Sequence, residues 1–183
     1  MPYDFTVFDA KVKDAREWLA KEYRTLRTGR ASPAILDGIS VSAYGSMTPL
    51  RGVANIGIED ARTLRVTAWD PSLVKDIERA ITNANLGVGI TADASGARVG
   101  FPELTAERRE QLVKVAKQKL EEARTTVRIA RDDVWKEIQE KVRDSNLTED
   151  DKFSLKDELQ EKVDGANTDF GKAFESKEKE MAS

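Results

Sequence analysis

The chain has 183 residues, 39% of them hydrophobic and 34% charged with both signs mixed, which supplies apolar faces for one ordinary domain or two small ones and excludes a disordered, single-sign tail. It contains neither cysteine nor histidine, which excludes disulfides, thiolate metal sites and a cysteine nucleophile, and removes the commonest general base and metal ligand. The net charge of −3 excludes a protein that coats nucleic acid by bulk charge, but the charge is uneven: residues 1–30 hold seven basic and five acidic side chains and residues 104–147 eleven and nine, against six and eight in 31–103 and six and eleven in 148–183. From Asp4 to Thr28, Phe5, Phe8, Val12, Ala15, Leu19 and Leu26 recur on one helical stripe, with Gly29 as a stop signal. Asp4, Asp9, Asp14 and Glu17 interrupt this stretch, so it does not read as a signal peptide, and no segment is long and apolar enough to span a membrane.

From Ile35 to Phe101 the helical period gives way to short β-branched runs bounded by Gly, Pro, Asn and Asp. Strands are expected near Ile39–Tyr44, Val53–Ile58, Thr63–Trp69, Gly89–Ala92 and Ala97–Phe101, with Ala94-Ser95-Gly96 as a turn. One helix interrupts them, capped by Asp70, opening on Pro71 and carrying Leu73, Val74, Ile77, Ala80 and Ile81. After Pro102 the helical period returns at Thr105 and runs to about Ser145, with Leu112, Ala116, Leu120, Ala123, Val127, Ala130, Val134 and Ile138 forming one narrow seam. A turn at Ser145–Thr148 precedes a last helix carrying Leu155, Leu159, Val163, Ala166, Phe170 and Phe174. Helices with single apolar stripes need partners, so the predicted fold is α+β: a long three-helix bundle from residues 1–30 and 104–183, with a small β-rich α/β domain, 31–103, inserted after the first helix. The two crossings, Ala31-Ser32-Pro33 and Phe101-Pro102-Glu103-Leu104, are short and permit a hinge.

On the long helix Lys117, Arg124, Arg128 and Arg131 fall within an arc of about 60°, roughly 90° from the seam. Such a ladder suits phosphate gripping, and it equally suits a solvated face paired with Glu121 and other acids one turn away. Trp135 shares the arc, either as a stacking platform or folded onto the last helix. Arg24, Arg27 and Arg30 end the first helix while Arg108 and Arg109 open the long one, where the helix dipole disfavours cations and an anionic partner would explain them. The acid pairs Glu59-Asp60, Asp132-Asp133 and Asp150-Asp151 read as solvated surface, and no phosphate-binding loop or dinucleotide fingerprint is present. On the residues alone, a helical scaffold binding a protein partner remains an alternative to an RNA-binding protein.

Arg27-Thr28-Gly29-Arg30-Ala31-Ser32-Pro33 resembles the hallmark segment of ribosome recycling factors. Tyr44-Gly45, Thr48-Pro49-Leu50, Glu59-Asp60-Ala61-Arg62-Thr63-Leu64, Asn85-Leu86-Gly87 and Leu104-Thr105 with Glu107-Arg108-Arg109 follow in the family's order, so the likeness covers nearly the whole chain. The resemblance implies an L-shaped, monomeric, cytoplasmic, non-enzymatic factor without a cofactor. Such a factor binds large-subunit rRNA of the post-termination ribosome and, with elongation factor G and GTP, separates the subunits. It implies rRNA contacts at Arg27, Arg30, Arg108, Arg109, Arg128 and Arg131, and favours the phosphate-gripping reading of the ladder that includes Arg124. The chain departs from the family pattern at Asn85, where aspartate is frequent, at Asp132, where a second basic residue is usual, and at Trp135, where a small polar residue is usual.

Overall fold

In the computed structural model the structure describes residues 3–182; Met1, Pro2 and Ser183, the outer ends of the expected bundle segments, lie outside the described residues. The first helix, α1, spans Thr6–Thr25 and starts where the Asp4 carboxylate accepts the Thr6 N–H at 2.9 Å. Its stripe is buried at Phe8, Val12, Ala15, Leu19 and Tyr23. The helix stops at Thr25, three residues before the expected Thr28, and Leu26 is only half-buried. Beyond it the Thr28 hydroxyl accepts the Arg30 N–H at 3.3 Å, a side chain-to-backbone bond of the kind that competes with helix.

Two long helices follow the inserted segment. Helix α3 (Ala106–Arg143) opens where Thr105 Oγ1 accepts the Arg108 N–H at 3.2 Å. Helix α4 (Glu149–Ala182) opens on a reciprocal cap, Thr148 Oγ1 accepting the Asp151 N–H at 3.1 Å while Asp151 Oδ2 accepts the Thr148 N–H at 2.9 Å. With 38 and 34 residues they are roughly 57 Å and 51 Å long. All eight expected seam residues of α3 are buried, as are Leu155, Leu159, Val163, Ala166 and Phe170 of α4, while Phe174 is half-buried.

The chain divides into two compact units, one up to Tyr23 and from Lys114 to Glu178, the other from Arg24 to Val113 and from Lys179 on. The boundaries fall inside the long helices and not at the prolines. Within the first unit Tyr3 Oη donates to Glu137 at 2.7 Å, Lys11 pairs with Asp133 at 3.2 Å and Tyr23 Oη donates to the Ala116 carbonyl at 3.0 Å, so α1 and α3 run antiparallel. Lys162–Asp9 at 3.0 Å and Arg16–Asp169 at 2.5 Å ascend together, so α1 and α4 run parallel. The three helices therefore form a bundle whose seams face one another. Burial pushes the Tyr23 hydroxyl up to about 12.

In the second unit, strands β1 (Ser40–Ala43) and β2 (Ser46–Pro49) make a hairpin, and β3 (Ala54–Asp60), β4 (Thr63–Ala68), β5 (Gly89–Ala92) and β6 (Gly96–Gly100) form an antiparallel sheet in the order β3-β4-β6-β5. Helix α2 (Val74–Asn83) packs on β1, β5 and β6 after a single turn at Pro71–Leu73, whose N–H of Ser72 is capped by Asp70 at 2.9 Å. Leu36, Val41, Leu64, Val66, Ile77, Ile81 and Val99 are fully buried together, each worth about 1.5–3 kcal/mol relative to exposure.

Two features depart from the sequence reading. Strand β2 was expected as loop; Tyr44 (φ 52) and Gly45 (φ 81) both take left-handed conformations, the geometry of a two-residue hairpin turn. Tyrosine is unusual there, and its hydroxyl is held by Asp70 at 2.5 Å. Gly96 was expected in a turn but is the first residue of β6, where a Cβ would lie 2.0 Å from the Val66 carbonyl oxygen, so only glycine permits that approach of β4. Asn85 closes α2 at φ 50, a position that asparagine tolerates well.

Candidate nucleic-acid interface

The basic residues singled out from the sequence fall into two groups, one in each unit. Arg27, Arg30, Arg108 and Arg109 belong to the second unit, and Arg124, Arg128 and Arg131 to the first. The groups differ in what already occupies their guanidinium nitrogens.

Arg27 is the most committed. It is half-buried, its Nη1 donates to the Gly87 carbonyl at 2.9 Å, its Nη2 donates to the Pro102 carbonyl at 2.5 Å, and its Cζ lies 5.8 Å from the centre of the Phe101 ring. Burial, and next the charge of Arg108, push the guanidinium below its ordinary pKa. Arg27 thus ties three strands of chain together: the outgoing crossing, the turn at Gly87 and the returning crossing at Pro102. Arg30 is exposed and its side chain makes no hydrogen bond or ion pair among the described residues. Arg108 is exposed and donates to Gln111 at 3.0 Å, and Arg109 is half-buried.

The crossings are anchored as well. The Ala31 N–H donates to the Ala61 carbonyl at 2.9 Å, the Phe101 N–H donates to the Arg62 carbonyl at 2.7 Å, and Arg62 pairs with Glu103 at 2.7 Å. Phe101 and Leu104 are buried, while Ser32 takes an extended conformation (φ −130) before Pro33 opens a short 3-10 turn. Both crossings are therefore bound to the turn between β3 and β4, the segment Ala61–Arg62.

On α3 the three arginines stand at increasing liberty. Arg124 pairs with Glu121 at 2.8 Å, the one-turn acid pairing weighed from the sequence. Arg131 is held by its own neighbour, with Nε and Nη2 donating to Asp132 Oδ1 at 3.0 and 2.6 Å. Arg128 is exposed and unpaired among the described residues. These pairs are solvent-exposed and worth at most about 1 kcal/mol each, little enough for a polyanion to displace. Trp135 is half-buried and lines a cleft with Arg131 and, from α4, Lys156, Leu159 and Gln160, so it faces the last helix. Lys156 was missed from the sequence, because α4 is acidic overall and only the bundle brings this lysine beside the ladder.

The acid pairs carry structural duties. Glu59 pairs with Arg98 at 2.9 Å, Asp60 accepts the Arg62 N–H at 2.8 Å, Asp133 pairs with Lys11 and Asp151 caps α4. No group of three or more acids that could hold a metal ion exists among the described residues, and none of their helices is long and apolar enough to cross a membrane.

Comparison with known proteins covers nearly the whole of this architecture. The family model described as ribosome recycling factor matches residues 19–181. The ribosome-recycling factor of Rhodospirillum centenum is 40% identical over 178 residues, 97% of this chain and 96% of its own length, and that of Rubrobacter xylanophilus is 39% identical over the same span with the same shares. A solution structure of the ribosome recycling factor superposes with a TM-score of 0.74 at 32% identity, covering 97% of this chain and 95% of that one. The Thermus thermophilus ribosome recycling factor, in models with Escherichia coli elongation factor G bound to the Escherichia coli post-termination complex, gives 0.66 at 31% identity over 98% and 97%. Likeness of this extent in both sequence and fold, inserted domain included, places the chain in the ribosome recycling factor family.

Proposed function

We propose that this protein binds the post-termination ribosome and, together with elongation factor G and GTP, promotes dissociation of its subunits. It acts as a cytoplasmic, monomeric, non-enzymatic factor, and the nucleotide chemistry belongs to its partner. The observation that carries the reading is the near-full-length match to the family joined to an arginine ladder on an unbroken 38-residue helix. Arg30, Arg108, Arg109, Arg124, Arg128 and Arg131 contact large-subunit rRNA, whose phosphate oxygens suit planar guanidinium forks. Arg27, with two nitrogens engaged by the Gly87 and Pro102 carbonyls, acts within the second unit as a positioning residue that holds the crossings in place.

Functionally, residues 1–30 and 104–183 act as the rRNA-binding bundle and 31–103 as an inserted domain that meets the translation machinery separately. Bending draws on Ala31-Ser32-Pro33 and Phe101-Pro102-Glu103-Leu104, and the bonds from Ala31, Phe101 and Glu103 to Ala61–Arg62 limit it. Binding to isolated large subunits, followed by co-sedimentation from low to physiological salt, tests the interface. Affinity should fall steeply as salt rises, because each neutralised phosphate releases counterions. An affinity that stays flat would contradict the rRNA contacts and favour a helical scaffold that binds a protein partner.

A further inference from the structure

The cleft between α3 and α4 combines two chemistries that neither helix carries alone. Its apolar part is Trp135 with Leu159, and its polar part is Arg131, Lys156 and Gln160. Lys156 makes no hydrogen bond or ion pair among the described residues, and Arg131 spends Nε and Nη2 on one oxygen of Asp132 while Nη1 makes no bond among them. Gln160 donates to Asp164 at 2.8 Å, which leaves its carbonyl oxygen without a hydrogen-bond partner among the described residues. The cleft holds about 120 Å³, below the roughly 300–1,000 Å³ of small-molecule pockets, so it suits a single planar ring and not a whole cofactor.

From this arrangement we propose that the cleft is a binding site for one unstacked nucleotide of single-stranded RNA. The base stacks against Trp135 over Leu159, and its phosphate is shared by Lys156 and Arg131. The site deepens the rRNA-binding reading and rests on it. Every base has a π-face, so a tryptophan platform beside cations recognises an extruded nucleotide without reading its sequence. A peptide partner is disfavoured by two cations flanking so small a cleft; an acidic peptide remains an outcome of the test.

The experiment uses the full chain with Trp18→Phe and Trp69→Phe, so that Trp135 is the sole tryptophan. Its fluorescence is titrated at low salt with a uridine hexanucleotide, with an abasic hexanucleotide of equal charge, and with a hexaglutamate peptide. Binding to large subunits is measured on the same samples. The expected result is saturable quenching by the uridine oligomer alone. Stacking is worth about five- to hundredfold in affinity, so Trp135→Ala should lose that much oligonucleotide binding, read by fluorescence anisotropy of a labelled oligomer. Lys156→Gln should weaken the same binding while melting like the parent. Equal quenching by the abasic oligomer, quenching by hexaglutamate, or no change with uridine would overturn the nucleotide site. Retained salt-dependent binding to large subunits would then show that the rRNA-binding reading survives, and loss of that binding in the parent would show that both fail.

Discussion

Replacing Arg27 by alanine separates two roles that the hallmark segment alone could not distinguish. The substitution removes two charge-assisted bonds, to Gly87 O and Pro102 O, together with the contact over Phe101. Bonds to a charged group contribute about 1.5–3 kcal/mol each and a cation over a ring about 0.5–2 kcal/mol, while half-burial of the guanidinium returns part of this as relieved desolvation. A net loss of about 2–3 kcal/mol follows, and for a chain of this size that lowers Tm by roughly 4–12 °C. Arg27→Lys should restore little, since an ammonium has no fork to span two carbonyls. Thermal unfolding followed by circular dichroism, with binding to large subunits measured well below Tm, supplies both readouts. A variant that melts like the parent yet loses ribosome binding would refute the structural tie and make Arg27 a direct rRNA contact.

Four further substitutions follow from the geometry. Asp132→Asn should release Arg131 and tighten binding to large subunits by about two- to fivefold at low salt, whereas Arg131→Ala should melt like the parent and bind about tenfold more weakly; equal affinities in titration would remove Arg131 from the interface. Gly96→Ala forces a Cβ onto the Val66 carbonyl and should cost about 1–3 kcal/mol in urea unfolding, with a parental midpoint contradicting the close approach of β4 and β6. Arg65 and the Ser95 N–H hold the Asp93 carboxyl well below the usual carboxylate range. A carboxyl with a depressed folded pKa contributes stability above its unfolded value of about 3.9 and loses it as pH falls toward the folded one. The gap in Tm between parent and Asp93→Asn should therefore close in acid, and a gap independent of pH would exclude this linkage.

The long helices were legible because their periodic seams are uninterrupted: every apolar position assigned to α3, from Leu112 to Ile138, is buried. The errors lie where backbone geometry departs from pattern. Tyr44 adopts a left-handed turn without the Asn-Gly signal that marks such hairpins, so β2 was invisible, and Gly96 was read as turn chemistry when its purpose is to let a strand approach. The basic ladder was legible as a face of one helix. Its pairing was only half so: Glu121 one turn from Arg124 was expected, but the grip of Asp132 on adjacent Arg131 obeys no helical spacing. Arg27 was legible as a residue of the hallmark segment but not as a tie, because its acceptors lie 60 and 75 residues away in sequence. The crossings read as short linkers that permit a hinge, and their anchoring was not legible, since the carbonyls of Ala61 and Arg62 that hold them carry no sequence signature.

The central claim is tested most directly by sedimenting post-termination ribosomes with this protein, elongation factor G and GTP, alone and in every combination. Loss of the intact ribosome peak into separated subunits only when all three are present is the predicted result. Splitting without this protein, or intact ribosomes in the complete mixture despite bound protein, would contradict it.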